Sequence, residues 1–407
     1  MAKKSGTPGL SFKEMREMME TISQKTSIII ENETKERGYI DTNIYILNAL
    51  LSKSILHGGV SKNRFTIFAG EESVGKSYLC YNIAKSAQKE GYNVIYIDTE
   101  FSIELGQLEE FGLDISLNRL MLIRSNKVED IKIMLAQFLD QLKEQKQKGV
   151  DIGKTILFID SIGQLASLKE IEDAKEAKNK ADMSRAKAIK SLFRIITADL
   201  GYLEIPLIAT NHIYMSQDLF PVAIQSGGKG VDYSASTIVY LTKAKLKTGN
   251  EDELDLNSSG IIVTALARKN RNAKPKKIKF EINHTSGTNR YKGLEYFCTP
   301  ENFNKVGIAK VKEEVDKKTG EITYKTGGTK WFIKHLNKYL YEKQLYNGKV
   351  FTDEVLEKLE PIISDYFAYA NQAEIDKVQN DMNDMYEEFE QDTDFDIDAD
   401  NDKKLFD

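Results

Sequence analysis

Cysteine, tryptophan, histidine and proline are scarce in this chain, with two, one, four and six among 407 residues. Cys80 and Cys298 stand far apart and the histidines are scattered, which excludes a disulfide framework and a zinc-type ligand cluster. No apolar run approaches the roughly 20 residues of a membrane-spanning helix, and the opening MAKKSGTPGL lacks the apolar stretch of a secretory signal. A cytosolic protein with no membrane partner is expected. What is present is ordinary for a folded protein: 41% hydrophobic and 29% charged residues leave no case for wholesale disorder. The length predicts one large α/β core with a smaller accessory unit.

The formal charge of −5 hides an asymmetry. Residues 381–407 hold twelve acids against Lys403 and Lys404, a balance of −10, so the remaining body is +5. A mildly basic body suits a polyanion partner, and the acidic end could compete for the same cationic surface or serve only as a solubilising, disordered tail.

Along the chain, SFKEMREMMETISQ (11–24) opens with Ser11 and Glu14 in capping-box spacing and predicts an amphipathic helix, followed by SIIIENE (27–33). IYILNALLSKSIL (44–56) predicts a core helix ending at His57-Gly58-Gly59. From residue 64, apolar runs without alternation are separated by helical segments: RFTIFAG, NVIYIDTE, LMLIRS and TILFIDS, then PLIATN, STIVYLT, GIIVTALAR and KIKFEI. Such runs indicate strands covered on both faces, joined by right-handed crossovers. The expected fold is a doubly wound, mostly parallel α/β sheet with antiparallel strands at one edge. Beyond it, TGEITYKTGG reads as a hairpin and KWFIKHLNKYLYEKQ as a helix. The expected division is 1–40 as an N-terminal helical and strand segment, 41–294 as the core, 295–377 as a small C-terminal α+β domain and 378–407 as the acidic tail.

FAGEESVGKS fits the phosphate-loop pattern at Gly70, Gly75, Lys76 and Ser77, between a predicted strand and a predicted helix. The loop, with Glu71, Glu72, Ser73, Val74 and Tyr78 beside those four, predicts backbone N–H groups wrapped around the phosphates of a nucleotide. Lys76 would neutralise β/γ-phosphates, and the Ser77 hydroxyl would ligate Mg2+. TILFID delivers Asp160 to the carboxyl end of a strand, where it would hold the metal, with Ser161 touching the same shell. Taken alone, Asp160 could equally be a helix cap. Glu100, closing the neighbouring strand after Asp98, is the candidate base for an attacking water; by itself it could be a solvated loop acid.

In this order the pieces resemble the RecA-type recombinases, and most closely their T-even-type phage branch, over roughly residues 40–295. The most specific stretches are FIDSIGQLASLKEIEDA, DMSRAKAIKSLFRIITADL and PLIATNHIYM. The resemblance implies a RecA-like ATPase core and ATP bound between neighbouring subunits. It also implies a helical homo-filament on single-stranded DNA that pairs it with homologous duplex in recombination, repair and replication. Residues 1–40 would then be a polymerisation segment. A phage recombination mediator and single-strand-binding proteins would be further partners, and the bacterial host cytoplasm the location.

The same resemblance places two DNA loops within Lys169–Arg185 and Ile213–Gly230. It singles out Arg185 in the first, whose alternating acids and bases otherwise read as a solvated face. In the second, Tyr214 and Phe220 could stack on bases, Gly227 and Gly228 allow close approach to phosphates, and Lys229 adds charge. His212 occupies the family's γ-phosphate sensor position. Lys269 and Arg271, within the basic stretch ARKNRNAKPKKIK (267–279), match the pair that reaches a neighbour's γ-phosphate. The family's adenine-stacking aromatic would fall near Gln107, where no Tyr or Phe stands. A ring-forming helicase of the same fold, or a nucleotide-gated scaffold on single-stranded DNA, would share most of these features.

Overall fold

The computed structural model describes residues 38–176, 184–215, 223–246, 260–315 and 322–370. The expected N-terminal helix and strand and the acidic tail lie outside the described residues. Of two compact units, Met1–Gly38 contributes only its last residue here, and all that follows concerns the unit from Tyr39 onward.

Helix α1 spans Tyr45–Ser52, shorter than the apolar spacing predicts. Lys53 adopts a left-handed conformation (φ 62°) and its N–H closes on the Ala49 carbonyl at 2.7 Å, which stops the helix before the apolar residues run out. Then follow β1 (Phe65–Gly70), α2 (Lys76–Lys89), β2 (Asn93–Asp98), α3 (Leu105–Glu110), β3 (Leu120–Arg124), α4 (Val128–Gln147) and β4 (Thr155–Asp160). After them come α5 (Leu168–Lys175), α6 (Ser184–Leu203), β5 (Leu207–Met215), α7 (Lys229–Ser234), β6 (Thr237–Lys245), β7 (Gly260–Asn270), β8 (Lys277–Asn283) and β9 (Gly287–Thr288). The main sheet runs β9-β8-β7-β6-β1-β5-β4-β2-β3. From β6 to β3 all neighbours are parallel, and β7, β8 and β9 extend the β6 side antiparallel.

The apolar runs follow from this layering. Side chains alternate between faces along a strand, and here both faces are covered. Phe68, Tyr96, Ile156 and Phe158 pack toward α1, α2 and α3, while Ile67, Ala69, Ile97, Leu157 and Ile159 pack toward α4 and α6. Phe65 stacks on Phe193 of α6 with centroids 4.8 Å apart, fixing α6 against the second face. Because the parallel strands share one direction, the carboxyl ends of β1, β2, β4 and β5 open on one edge.

In the C-terminal part, Val311–Val315 and Ile322–Thr326 pair antiparallel, as the hairpin reading expects. Residues 330–344 do not form the expected helix. Trp331–Ile333 is a strand between Ile308–Ala309 and Lys338–Leu340, with single 3-10 turns after it. Trp331, Phe332 and Ile333 are all buried, which one face of a short surface helix could not achieve, and Asn337 turns the chain through a left-handed conformation (φ 49°). Helix α8 (Asp353–Phe367) places Val355, Leu359, Ile363 and Phe367 in the same apolar cluster as α1 and β8.

Candidate nucleotide site and nucleic-acid loops

Gly70 ends β1 in a space that excludes a side chain, since a Cβ there would meet the Leu241 carbonyl oxygen at 2.6 Å. Ser73 (φ 57°) and Gly75 (φ 89°) are left-handed, so the loop curls back on itself before α2 begins at Lys76. The first turn of α2 leaves N–H groups without intrahelical acceptors in front of the helix, and a loop of this curl is the kind of backbone nest that suits an anion. Lys76 is buried and bends over the loop, its Nζ donating to the carbonyls of Gly70 (3.1 Å) and Glu71 (2.7 Å). Burial lowers the Lys76 ammonium below its usual range, with the carboxylates of Asp160, Glu100 and Glu72 opposing that shift. Ser77 follows within the first turn of the helix. Tyr78, by contrast, faces away from the loop: its hydroxyl accepts from Thr288 N at 2.9 Å and its ring meets Phe111 edge-on.

The other strands bring the acids to the same edge. Asp160 and Asp98 stand opposite each other in the β2/β4 register. Asp160 is held on both oxygens, by Tyr96 Oη at 2.8 Å and by the Thr210 hydroxyl. Burial and the nearby Asp160 charge push the Tyr96 phenol well above its ordinary value, so it stays a donor. Asp98 is fully buried and accepts the N–H groups of Glu100 (3.1 Å) and Ile103 (3.0 Å), shaping the turn that presents Glu100. Glu100 Oε1 accepts from Ser161 Oγ at 2.8 Å and lies 3.3 Å from His212 Nε2, which is itself 3.3 Å from Ser161 Oγ. Ser161 therefore orients the candidate base. His212 reaches this triangle because it is paired with Gly70 in the β1/β5 register.

Behind His212, Asn211 is buried and donates to Gln225 Oε1 (3.1 Å) and to the Ser226 carbonyl (2.8 Å), and the Gln225 amide donates to Asp232. The Ser226 N–H closes on the His212 carbonyl at 3.0 Å. The far side of the expected second loop is thus tied to the strand that carries His212. Gly227 (φ 86°) and Gly228 (φ 76°) follow, both in the left-handed region that favours glycine. Arg185 comes to the same region, its guanidinium donating to the carbonyls of Leu165 (2.6 Å) and Gly163. Tyr214 is exposed, Lys229 starts α7, and Phe220 lies outside the described residues.

Lys269 and Arg271 stand apart from their own phosphate loop. Lys269 is in register with Ile238, and Ile238 with Ile67, three residues before Gly70, so it sits about 10 Å back along the strands from the loop, level with the middle of β1. Its Nζ donates to the Asp232 carbonyl at 2.6 Å. Burial first, and then the charge of Arg271, lower its ammonium below the usual range.

Several site residues escape sequence reasoning. Lys243 of β6 donates to the Glu72 carbonyl at 2.7 Å, placing a second cation beside the loop. Gly163 is required because a Cβ would meet the His212 ring at 2.5 Å. Neither has a local motif; only strand order brings them in. Near Gln107, the adjacent ring of Phe111 packs inward against Tyr78 and Tyr81.

Comparison with known proteins agrees with this geometry. A family model described as the RecA N-terminal domain matches residues 14–289. The chain is 30% identical to the recombination and repair protein of Enterobacteria phage T4 over 329 residues, 79% of this chain and 78% of that one. It is 28% identical to the DNA repair and recombination protein RadB of Methanosphaera stadtmanae, over 48% of this chain and 80% of the relative. It is 25% identical to protein RecA of Mesomycoplasma hyopneumoniae, over 53% and 61% respectively. With the phosphate loop after β1, the paired acids on β2 and β4 and the histidine on β5, this chain belongs to the RecA family.

Proposed function

We propose that the protein is an ATP-dependent DNA recombinase that forms a helical filament on single-stranded DNA and catalyses homologous pairing and strand exchange. The observation that carries this reading is the contact between Glu100 and His212. It joins the water-side carboxylate of a nucleotide site to the strand that runs into the second expected DNA loop, as a DNA-stimulated ATPase requires.

The residues fit ATP with Mg2+. The N–H groups of the loop and Lys76 would hold the phosphates, and Ser77 and Asp160 would hold the metal, which when bound neutralises phosphate charge. Glu100, oriented by Ser161, takes the proton of the attacking water. Lys269 and Arg271 are too far along the sheet to serve their own loop, which supports a role on a neighbouring copy. Hydrolysis then depends on assembly. Single-stranded and duplex DNA bind at Arg185 and at the segment 213–230, and residues 1–40 mediate contact between copies. A mediator and a single-strand-binding protein are proposed as further partners. Among the described residues no helix is long and apolar enough to cross a membrane.

A strand-exchange assay with homologous and heterologous duplex, run with and without ATP, tests the reading. Joint molecules are expected only with homology and ATP. Closed rings that unwind duplex without pairing would overturn it in favour of a helicase.

A further inference from the structure

We infer that a cleft between β8, the turn Leu294–Phe297 and the end of α8 binds single-stranded nucleic acid, as a site separate from Arg185 and the 213–230 segment. The cleft has a volume of about 420 Å3, within the range of ligand-sized sites. Phe297, Phe367, Tyr296 and Tyr366 line it with Ile278, and the exposed Lys277 and Lys279 flank Ile278 on the same strand. The inference rests on the proposed role of DNA as partner.

Three features select the ligand. The first is charge. Lys274, Lys277 and Lys279 are exposed, Lys276 is partly so, and none of the four has a carboxylate in ion-pair range among the described residues. The nearby Glu281 and Glu295 are engaged by Lys292 at 3.2 and 3.8 Å. A cluster of lysines without acidic partners on this stretch favours a polyanion.

The second is aromatic surface. Tyr296 is 59% exposed and Tyr366 46% exposed. Tyr366 is held rigid by edge-on contacts with Phe297 and Phe367 and by Lys276 Nζ 4.0 Å from its ring centroid. Exposed rings lining an open cleft offer stacking surface to bases, which a duplex would keep paired inside its own stack.

The third is spacing. Lys277 and Lys279 are two residues apart on one strand, so they project to the same side about 6.6 Å apart. That is the order of separation between successive phosphates of an extended single strand. The acidic run 381–407 is a competing occupant, because Tyr369, near the last described residue, bonds to the Asn270 carbonyl at 2.7 Å and so lies next to the β7–β8 stretch.

The test is photo-crosslinking of the full-length chain to an iodouracil-substituted single-stranded oligonucleotide, followed by peptide mapping. Labels are expected on the peptides containing Tyr296 and Tyr366 as well as on the 213–230 segment. Labels on that segment alone overturn the second site while leaving the recombinase reading intact; no labels at all overturn both. In a second arm, Lys277→Glu with Lys279→Glu should lower the steepness of the log affinity against log salt plot by about 1.4, from about 0.7 per lost phosphate contact on a single strand. An unchanged slope refutes the site. So does carbodiimide coupling of these lysines to residues 381–407 that added oligonucleotide does not suppress, because the acidic end would then own the cleft.

Discussion

His212 Nε2 stands 3.3 Å from Glu100 Oε1, although the two residues are 112 positions apart, one within β5 and the other just after β2. The pair meets because only β4 separates β5 from β2 and because Gly163 leaves room for the imidazole. The contact links the candidate base to the backbone of β5 that continues toward the expected second loop.

If Glu100 handles the attacking water, Glu100→Gln should lower hydrolysis by roughly 10²–10⁴-fold, the usual contribution of a positioned base. ATP-dependent binding to single-stranded DNA should persist, because the amide can still accept from Ser161. Phosphate release and oligonucleotide anisotropy on the same preparation separate the two; parallel loss of both would assign Glu100 a structural role.

A site shared between copies predicts complementation. Lys269→Ala and Lys76→Ala should each be inactive in hydrolysis, the first with nucleotide affinity near normal. Mixed on one DNA strand, the two variants create some interfaces with an intact loop facing an intact cation pair. Partial ATPase activity is expected from the mixture and none from either alone; a silent mixture would place Lys269 outside the neighbour's site.

Asn211→Ala leaves the Gln225 amide oxygen and the Ser226 carbonyl without their shared donor, at a cost of about 1–3 kcal/mol if water does not replace it. The tie between β5 and the second loop should loosen. Nucleotide affinity should change little, whereas the gain in DNA affinity on adding ATP should shrink. Titrations of DNA with and without nucleotide read this difference directly.

Burial lowers the Lys76 ammonium, and this makes two pH trends of opposite sign. The charged form is disfavoured by folding, so the folded chain without nucleotide gains stability as pH rises from the lowered value through the ordinary lysine range. Phosphate binding needs the charge, so nucleotide affinity should fall over the same window. Thermal melts with and without nucleotide, each referenced to Lys76→Met to remove other titrating groups, should converge as pH rises.

The covered parallel strands were legible because each is an unbroken apolar run, and the phosphate loop because its glycines and lysine are contiguous. Two helix readings went wrong for local reasons that periodicity does not report. Lys53 stops α1 by a left-handed turn, and the Trp331–Ile333 run is buried on both sides as a strand. Apolar spacing alone is compatible with either outcome.

The sequence by itself determined the nucleotide cradle and the family, since both reside in short stretches whose chemistry depends on neighbours along the chain. Tertiary structure decided which residues share a site. Strand order set Ser161 and His212 on Glu100, brought Lys243 to the loop, and placed Lys269 three residues back along the sheet from its own phosphate loop. Those relations depend on which strands become neighbours, and neighbours in a sheet are chosen by packing across the whole core.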